Sequence, residues 1–255
     1  MKLFFRRMGQ GNPVVILHGF LGLSDNWVTF GRQMSGDFEV FIPDLRNHGQ
    51  SPHDPHMDYP VLVGDLHEMI GELDLKKVRL IGHSLGGKVA MGFALLYPDL
   101  VEKLVIVDIA PKQYPPNMEH LMLINAMNKV DFAGVRSRSD IDKQLQPNVH
   151  SLKLRQFLLK NVFWKNKETL AWRLNLMALN DSLPFILEDI STDKVFPKPV
   201  LLIRGGLSNY FLDEDLPEMI KQFPRTSVQT IANASHWVHA DAPGEFYDRV
   251  HEFLL

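Results

Sequence analysis

The sequence predicts an α/β protein with a mostly parallel central sheet and helices on both of its faces. Three observations indicate this class. Short apolar runs of strand length recur along the chain, stretches of helix length separate the first four of them, and the 255 residues suffice to bury one large core. The predicted strands are residues 14–17, 40–42, 78–81, 104–107, 200–203 and 228–231.

Two amphipathic segments predict helices of this fold. In residues 61–73 apolar side chains recur at helical spacing, and Pro60 precedes them at a position that suits the first turn of a helix. At the C-terminus, Phe246 and Val250 belong to a second stripe with the same spacing, which follows Pro243. We interpret both stripes as helix surfaces that face the core.

Residues 111–185, between the fourth and fifth predicted strands, contain no strand-like run. Their apolar side chains, including Phe163 and Leu170, indicate three or four helices instead. We therefore predict a helical lid at 111–185, inserted between two parts of an α/β core at 1–110 and 186–255, and lying over the carboxyl ends of the strands. The alternative is an ordinary helical layer packed on one face of the sheet.

The composition excludes several kinds of protein. The chain has 27 basic and 30 acidic residues, a net charge of −3 and no basic block, so we expect no nucleic-acid partner. It has no cysteine, which excludes a disulfide framework, a thiolate metal site and a cysteine nucleophile. No apolar run has the length of a membrane span, and residues 1–7 lack the apolar core of a signal peptide, so we expect a cytoplasmic location. Nothing in the sequence predicts the oligomeric state.

The segment around Ser84 predicts a strand, a tight turn and a helix. Residues 82–86 read GHSLG, the G-x-S-x-G pattern of a nucleophile elbow, in which the glycines let backbone pass close to backbone. We therefore predict that Ser84 is a nucleophile at the edge of the sheet. Residues 82–88 also match the G-x-x-x-x-G-K part of a phosphate-binding loop, but Val89 stands where that loop needs a Ser or Thr to bind magnesium.

A serine hydroxyl needs a base to take its proton and donors to stabilise the oxyanion that forms. We predict His236 as the base because it follows the last predicted strand, in the chain order serine, acid, histidine that accompanies this elbow. His239 is the alternative base. Residues 18–20 read His-Gly-Phe after the first predicted strand, so we predict that the backbone amides of Phe20 and Leu85 form the oxyanion hole.

The acid that orients the base has two candidates. In many proteins with this elbow it follows the fifth predicted strand, but Asn209 occupies that position and has no negative charge to stabilise an imidazolium. Asp108 ends the fourth predicted strand and so projects from the same sheet edge as Ser84, whereas Asp213 lies in what reads as the start of a helix. We therefore predict Asp108 and retain Asp213 as the alternative.

Two further polar segments have structural interpretations. Residues 44–51 read DLRNHGQS, a D-x-R-x-x-G-x-S turn. His53 and His56, with Asp54 and Asp58, are ligand types for a metal ion, but a polar loop that contains prolines is more often solvated surface. We expect neither a metal ion nor a cofactor.

These motifs together resemble the serine esterases of the α/β-hydrolase fold. More narrowly, the chain resembles the small bacterial YbfF-type esterases along most of its length, with the weakest match in the predicted lid. In that family the acid follows the strand before the lid, which implies Asp108 here. The segments that carry the resemblance are residues 18–20, 44–51, 82–87, 205–210 and 236–240.

The resemblance implies a hydrolase of carboxylic esters or acyl thioesters that acts through an acyl-enzyme. Ser84, Asp108 and His236 would be its triad, and its partner would be a small-molecule substrate. Two other functions stay open: a cofactor-free carbon–carbon hydrolase or lyase, and a ligand-binding module with a hydrolase fold. Acyl-chain length and the physiological substrate cannot be read from these residues.

Overall fold

The central sheet of the computed structural model contains all six predicted strands. The structure describes residues 1–116, 118–190 and 192–255. Among these residues the strands of the sheet are β1 Phe5–Met8, β2 Asn12–Leu17, β3 Phe38–Pro43, β4 Val78–His83, β5 Val101–Val107, β8 Val200–Gly205 and β9 Thr226–Ile231. They lie in the order β1-β3-β2-β4-β5-β8-β9, with β1 antiparallel to β3 and the other neighbouring pairs parallel. The predicted fold class is therefore confirmed.

The edge strand β1 is missing from the sequence prediction. It reads FRRM, and its two arginines interrupt any apolar run. An edge strand needs less apolar surface than a central one, because it has a neighbour on one side only and part of it faces solvent. The central strands read as apolar runs for the opposite reason. Val14 to Leu17 in β2 and Leu104 to Val107 in β5 are completely buried.

Helices cover both faces of the sheet, as predicted. On one face, Phe30 of α1 and Phe246 of α11 pack in the same apolar cluster, and on the other face Leu66 of α2 packs with Val89 of α3. The two predicted helices form, and Asp58 caps α2 by accepting a hydrogen bond from the Val61 amide at 2.9 Å. The helices of the core are α1 Val28–Met34, α2 Tyr59–Glu72, α3 Leu85–Leu96, α9 Leu216–Gln222, α10 Val238–Asp241 and α11 Pro243–Leu254.

The segment between β5 and β8 differs from the prediction in two respects. Its described residues form five helices rather than three or four, and they include a two-stranded antiparallel sheet in which Phe163 pairs with Ala171. The expectation of a purely helical segment is therefore wrong. Each strand has three residues, too few for the alternation that identifies a strand in sequence. The elements are α4 Met118–Asn128, α5 Arg138–Leu145, α6 Leu152–Leu159, β6 Val162–Trp164, β7 Leu170–Trp172, α7 Leu176–Asp181 and α8 Leu183–Leu187.

The carboxyl ends of the parallel strands meet at one edge of the sheet. The chain leaves β2 at His18, β4 at Ser84 and β5 at Asp108, so three polar residues from distant parts of the sequence come together there. No helix within the described ranges is long and apolar enough to cross a membrane.

Candidate active site

Ser84 occupies a sharp turn between β4 and α3. Its backbone has φ 52° and ψ −118°, a conformation outside the regions that L-residues normally populate. The turn requires glycines on both sides: a Cβ on Gly82 would lie 2.3 Å from the carbonyl oxygen of Gly86, and one on Gly86 would lie 2.5 Å from that of Leu17. The G-x-S-x-G pattern is therefore explained by close backbone approach, with Ser84 at the apex.

The segment after β2 runs beside this turn. A Cβ on Gly19 would lie 2.8 Å from Nδ1 of His83 and 3.3 Å from the Cβ of Ser84, so a side chain at this position would displace the His83 ring. Among the described residues, the backbone amides of Phe20 and Leu85 donate no hydrogen bond to the protein. Two unused N–H groups on either side of a serine are the arrangement that an oxyanion hole needs.

A pair of buried histidines holds the segment after β2 against residues 44–51. His18 donates through Nδ1 to the Gly19 carbonyl at 2.8 Å and accepts through Nε2 from the Leu45 amide at 3.0 Å. His48 accepts through Nε2 from the Leu21 amide at 3.2 Å. Because burial lowers the pKa of both rings, they stay neutral and keep one nitrogen as an acceptor.

Asp108 follows β5 and also has a positive φ, 52°. Its carboxylate is buried and accepts hydrogen bonds at both oxygens: Oδ1 from the Gly205 amide at 3.0 Å, and Oδ2 from the Ser208 hydroxyl and from Nδ1 of His236 at 2.7 Å. Charged hydrogen bonds of this kind are stronger than neutral ones, so the carboxylate determines the orientation of the His236 ring. With Nδ1 protonated, Nε2 is left to accept a proton.

Tyr210 and His83 also contact His236. The ring of Tyr210 stacks on it with centroids 3.7 Å apart and planes inclined by 18°. The side chain of His83, the residue before Ser84, donates through Nε2 to the His236 carbonyl at 2.9 Å. Burial lowers the pKa of His83 well below its ordinary value, so this ring is neutral and does not compete as a cation.

The alternative candidates lie in other environments. Asp213 forms an ion pair with Arg204, 2.7 Å long, and its side chain is 88% exposed. His239 stacks on Trp27 at 4.0 Å, and burial lowers the pKa of His239 to about 3. In this structure Asp108, rather than Asp213, is therefore the carboxylate in contact with His236.

Ser84 and His236 both line a cavity of about 80 Å³. Ser84 also lines a neighbouring cavity of about 500 Å³, where Leu85 and Lys88 of α3 face residues of the inserted segment. His120 of α4 lines both cavities, and its ring lies 5.0 Å from that of Phe20. The inserted segment therefore contributes walls to both cavities at the carboxyl edge of the sheet.

Sequence reasoning missed several residues of this site, which left little or no signal in the sequence. Ser208, which donates to Asp108, lies immediately before Asn209, where an acid is usual; the loss of that acid was the available clue. His83 could have been noted only as a neighbour of Ser84. His120 and Asn161 belong to the inserted segment, and Asn161 donates through Nδ2 to the Leu21 carbonyl at 2.9 Å.

The polar loop after the turn at 44–51 has structural roles in the described contacts. Asp54 accepts a hydrogen bond from the His56 amide at 2.8 Å, and Asp58 caps α2. Nowhere in the described ranges do three His, Cys, Asp or Glu side chains form a group that could hold a metal ion.

Comparisons with known proteins agree with this geometry. Residues 12–243 match the family model described as the alpha/beta hydrolase fold. The chain is 33% identical to esterase YbfF of Escherichia coli strain K12, over 100% of this chain and 99% of that protein. It is 38% identical to the sn-1-specific diacylglycerol lipase ABHD11 of Danio rerio, over 98% of this chain and 80% of that protein.

Among solved structures, a marine microorganism esterase superposes with a TM-score of 0.94 at 38% identity, covering 99% of each chain. The agreement extends through the inserted segment, because nearly the full length of both chains is included. On the family match and these relatives together, the chain belongs to the alpha/beta hydrolase fold family.

Proposed function

We propose that this protein is a serine hydrolase of carboxylic esters that acts through an acyl-enzyme. The observation that carries the proposal is the contact between His236 and the buried Asp108 beside the elbow serine, with two unused amides nearby. The names of the relatives, esterase and lipase, support the same reaction. Acyl thioesters undergo the same acyl transfer and are included in the proposal.

In the first step the Ser84 hydroxyl oxygen attacks the ester carbonyl carbon, and Nε2 of His236 takes the hydroxyl proton. The carbonyl oxygen becomes an oxyanion that accepts hydrogen bonds from the amides of Phe20 and Leu85. Asp108 stabilises the imidazolium through Nδ1. The intermediate then collapses, the bond to the leaving oxygen breaks, and His236 returns its proton to the alcohol.

The second step releases the acid. Water attacks the acyl carbon while Nε2 of His236 takes one of its protons, and the same amides stabilise the second oxyanion. Collapse breaks the bond to the Ser84 oxygen, which recovers the proton from His236. The carboxylic acid leaves, and neither step consumes a cofactor.

The remaining predictions concern the organisation and location of the chain. We propose that residues 111–185 act as a lid on a core formed by 1–110 and 186–255, supported by the side chains that this segment contributes to both cavities. A cytoplasmic location stays a prediction of the sequence.

Labelling with a fluorophosphonate tests the nucleophile. We expect the probe to attach to Ser84, as read by peptide mass spectrometry, and Ser84→Ala to lower kcat on a short-chain ester by about 10⁶-fold, as in subtilisin. The matched control is Ser139→Ala, a change at an exposed serine of the inserted segment, and this variant should keep wild-type activity. Labelling of another residue, or an active Ser84→Ala, would contradict the proposal.

A further inference from the structure

Lys88 is a buried cation in the wall of the larger cavity. It lies on α3 four residues after Ser84, which places it one helical turn further along the same helix. Only 1% of the residue is exposed. Ser84 and Leu85 line the same cavity of about 500 Å³, so Lys88 and the candidate nucleophile share one space.

The ammonium of Lys88 has no carboxylate partner within the described ranges. It donates one hydrogen bond, to the Glu188 carbonyl at 2.5 Å, and lies 5.5 Å from the ring centroid of Tyr59 and 4.8 Å from that of Tyr114. An ammonium has three N–H groups, and a buried cation is costly unless it is paired. Burial lowers the pKa of Lys88 to about 8, against a weaker opposing attraction from the exposed Asp189 and Glu188.

Three other side-chain donors that line this cavity, those of Lys112, Tyr59 and Tyr114, are already in use. Lys112 forms two hydrogen bonds with Asp215, at 2.6 and 2.8 Å, so its charge is compensated. The hydroxyl of Tyr59 donates to the Ile186 carbonyl at 2.6 Å, and that of Tyr114 donates to the Tyr210 carbonyl at 2.5 Å. Glu119 also lines the cavity, with an exposed side chain. Lys88 therefore differs from Lys112 in having no carboxylate in contact among the described residues.

The position of His236 indicates which part of the substrate enters this cavity. In the proposed reaction His236 must reach the leaving oxygen to return its proton, so the alcohol lies on the side of His236. That side is the cavity of about 80 Å³, which His236 lines, whereas the lining of the larger cavity does not include it. The larger cavity is then left for the acyl chain.

We propose that the larger cavity binds an acyl chain with a terminal anionic group, and that the Lys88 ammonium is the counter-ion of that group. The preferred substrates would be monoesters or monothioesters of dicarboxylic acids. A carboxylate at this wall interacts with the ammonium in a low-dielectric environment, where the attraction is stronger than in water. This inference rests on the proposed ester hydrolysis.

Two esters of matched shape test the anion site. Monoethyl glutarate carries a carboxylate, and ethyl 5-methylhexanoate has an isopropyl group in its place. In the wild type at pH 7, we expect kcat/KM, measured by coupled detection of ethanol, to be higher for the anionic ester. Lys88→Met should lower the ratio of the two kcat/KM values about tenfold or more, because a hydrogen bond to a charged group contributes about 1.5–3 kcal/mol. Lys88→Arg should restore part of the ratio.

The matched control removes a compensated pair from the same wall. Lys112→Met combined with Asp215→Asn changes no net charge, and the ratio should stay within about twofold of wild type. A Lys88→Met protein that hydrolyses the neutral ester with an unchanged ratio would overturn the anion site.

A measurement on the wild type keeps the test independent of folding of the variants. As the pH rises through about 8, Lys88 loses its proton and the preference for the anionic ester should disappear. Both esters share the same catalytic steps, so the pH dependence of those steps cancels in the ratio. A ratio at or below one at pH 7, with hydrolysis of the neutral ester, would overturn the anion site alone. Hydrolysis of neither ester would contradict the proposed function as well.

Discussion

The core sheet and the inserted segment both face Ser84, but they contribute different things to the site. The core contributes the proposed reacting groups, from the buried ends of β4 and β5 and from the partly buried loop after β9. The inserted segment contributes walls of the cavities and a few hydrogen bonds to the core.

This difference explains why the sequence pattern of the core site is recognisable and that of the inserted segment is not. Catalytic geometry in the core depends on backbone conformations that few residues adopt, so glycines and polar strand ends remain visible in the sequence. The inserted segment encloses space, and many apolar side chains can do that equally well. Its residues therefore have little local signature.

After the loss expected for Ser84→Ala, the largest expected effect also lies in the core and tests Asp108 as the acid of the proposed triad. Asp108→Asn should lower kcat by about 10⁴-fold, because it removes the charge that orients and stabilises protonated His236. The same change in a serine protease has an effect of about this size. Steady-state hydrolysis of a short-chain ester measures this. Asp213→Asn, which alters an exposed ion pair, is the matched control and should stay within about threefold of wild type. A large loss at Asp213→Asn with a normal Asp108→Asn would reverse the assignment.

A smaller effect compares the stability of the two regions. Burial lowers the pKa of His239 in the core from 6.5 to about 3 and that of His120 in the inserted segment from 6.5 to about 4. Between these values and 6.5 the unfolded state binds more protons, so stability is complete above about pH 6.5 and is lost as the pH falls. From pH 7 to pH 5 each histidine should lower the free energy of unfolding by about 2 kcal/mol.

Urea unfolding of His239→Leu and His120→Leu at pH 7 and pH 5 measures how much each histidine contributes to the pH dependence of the free energy of unfolding. Each variant should have a weaker pH dependence than wild type, and the exposed His56→Leu should keep it. If His120→Leu leaves the pH dependence of the main transition unchanged, the inserted segment unfolds separately from the core. That result would sharpen the difference between the two regions.

The smallest effect tests whether the inserted segment acts on the core through a hydrogen bond. Asn161→Ala leaves the carbonyl of Leu21, the residue after Phe20, without its side-chain donor. We expect kcat to fall about tenfold with little change in KM, because the oxyanion is bound only in the transition state. Asn180→Ala, a change at a partly exposed position of α7, is the control. A change in KM alone would mean that Asn161 shapes the cavity and not the oxyanion hole.

The sequence by itself predicts the class of sheet, six of the seven strands that the described residues contribute to it, and the elbow at Ser84. These features are readable because buried parallel strands need continuous apolar runs and the elbow needs glycine wherever a Cβ would meet backbone. Asp108 and His236 are predicted as site residues from chain order and strand ends, and the structure brings them to 2.7 Å.

Only the tertiary structure decided the contacts between distant segments. Ser208 donates to Asp108 across 100 positions, and Asn161 reaches the Leu21 carbonyl across 140, distances at which no local pattern exists. Tertiary packing also determines the short strands β6 and β7 and the position of Lys88, which has no carboxylate in contact among the described residues. Periodicity reports which side of an element is buried, whereas the identity of the group that it meets depends on how the elements pack.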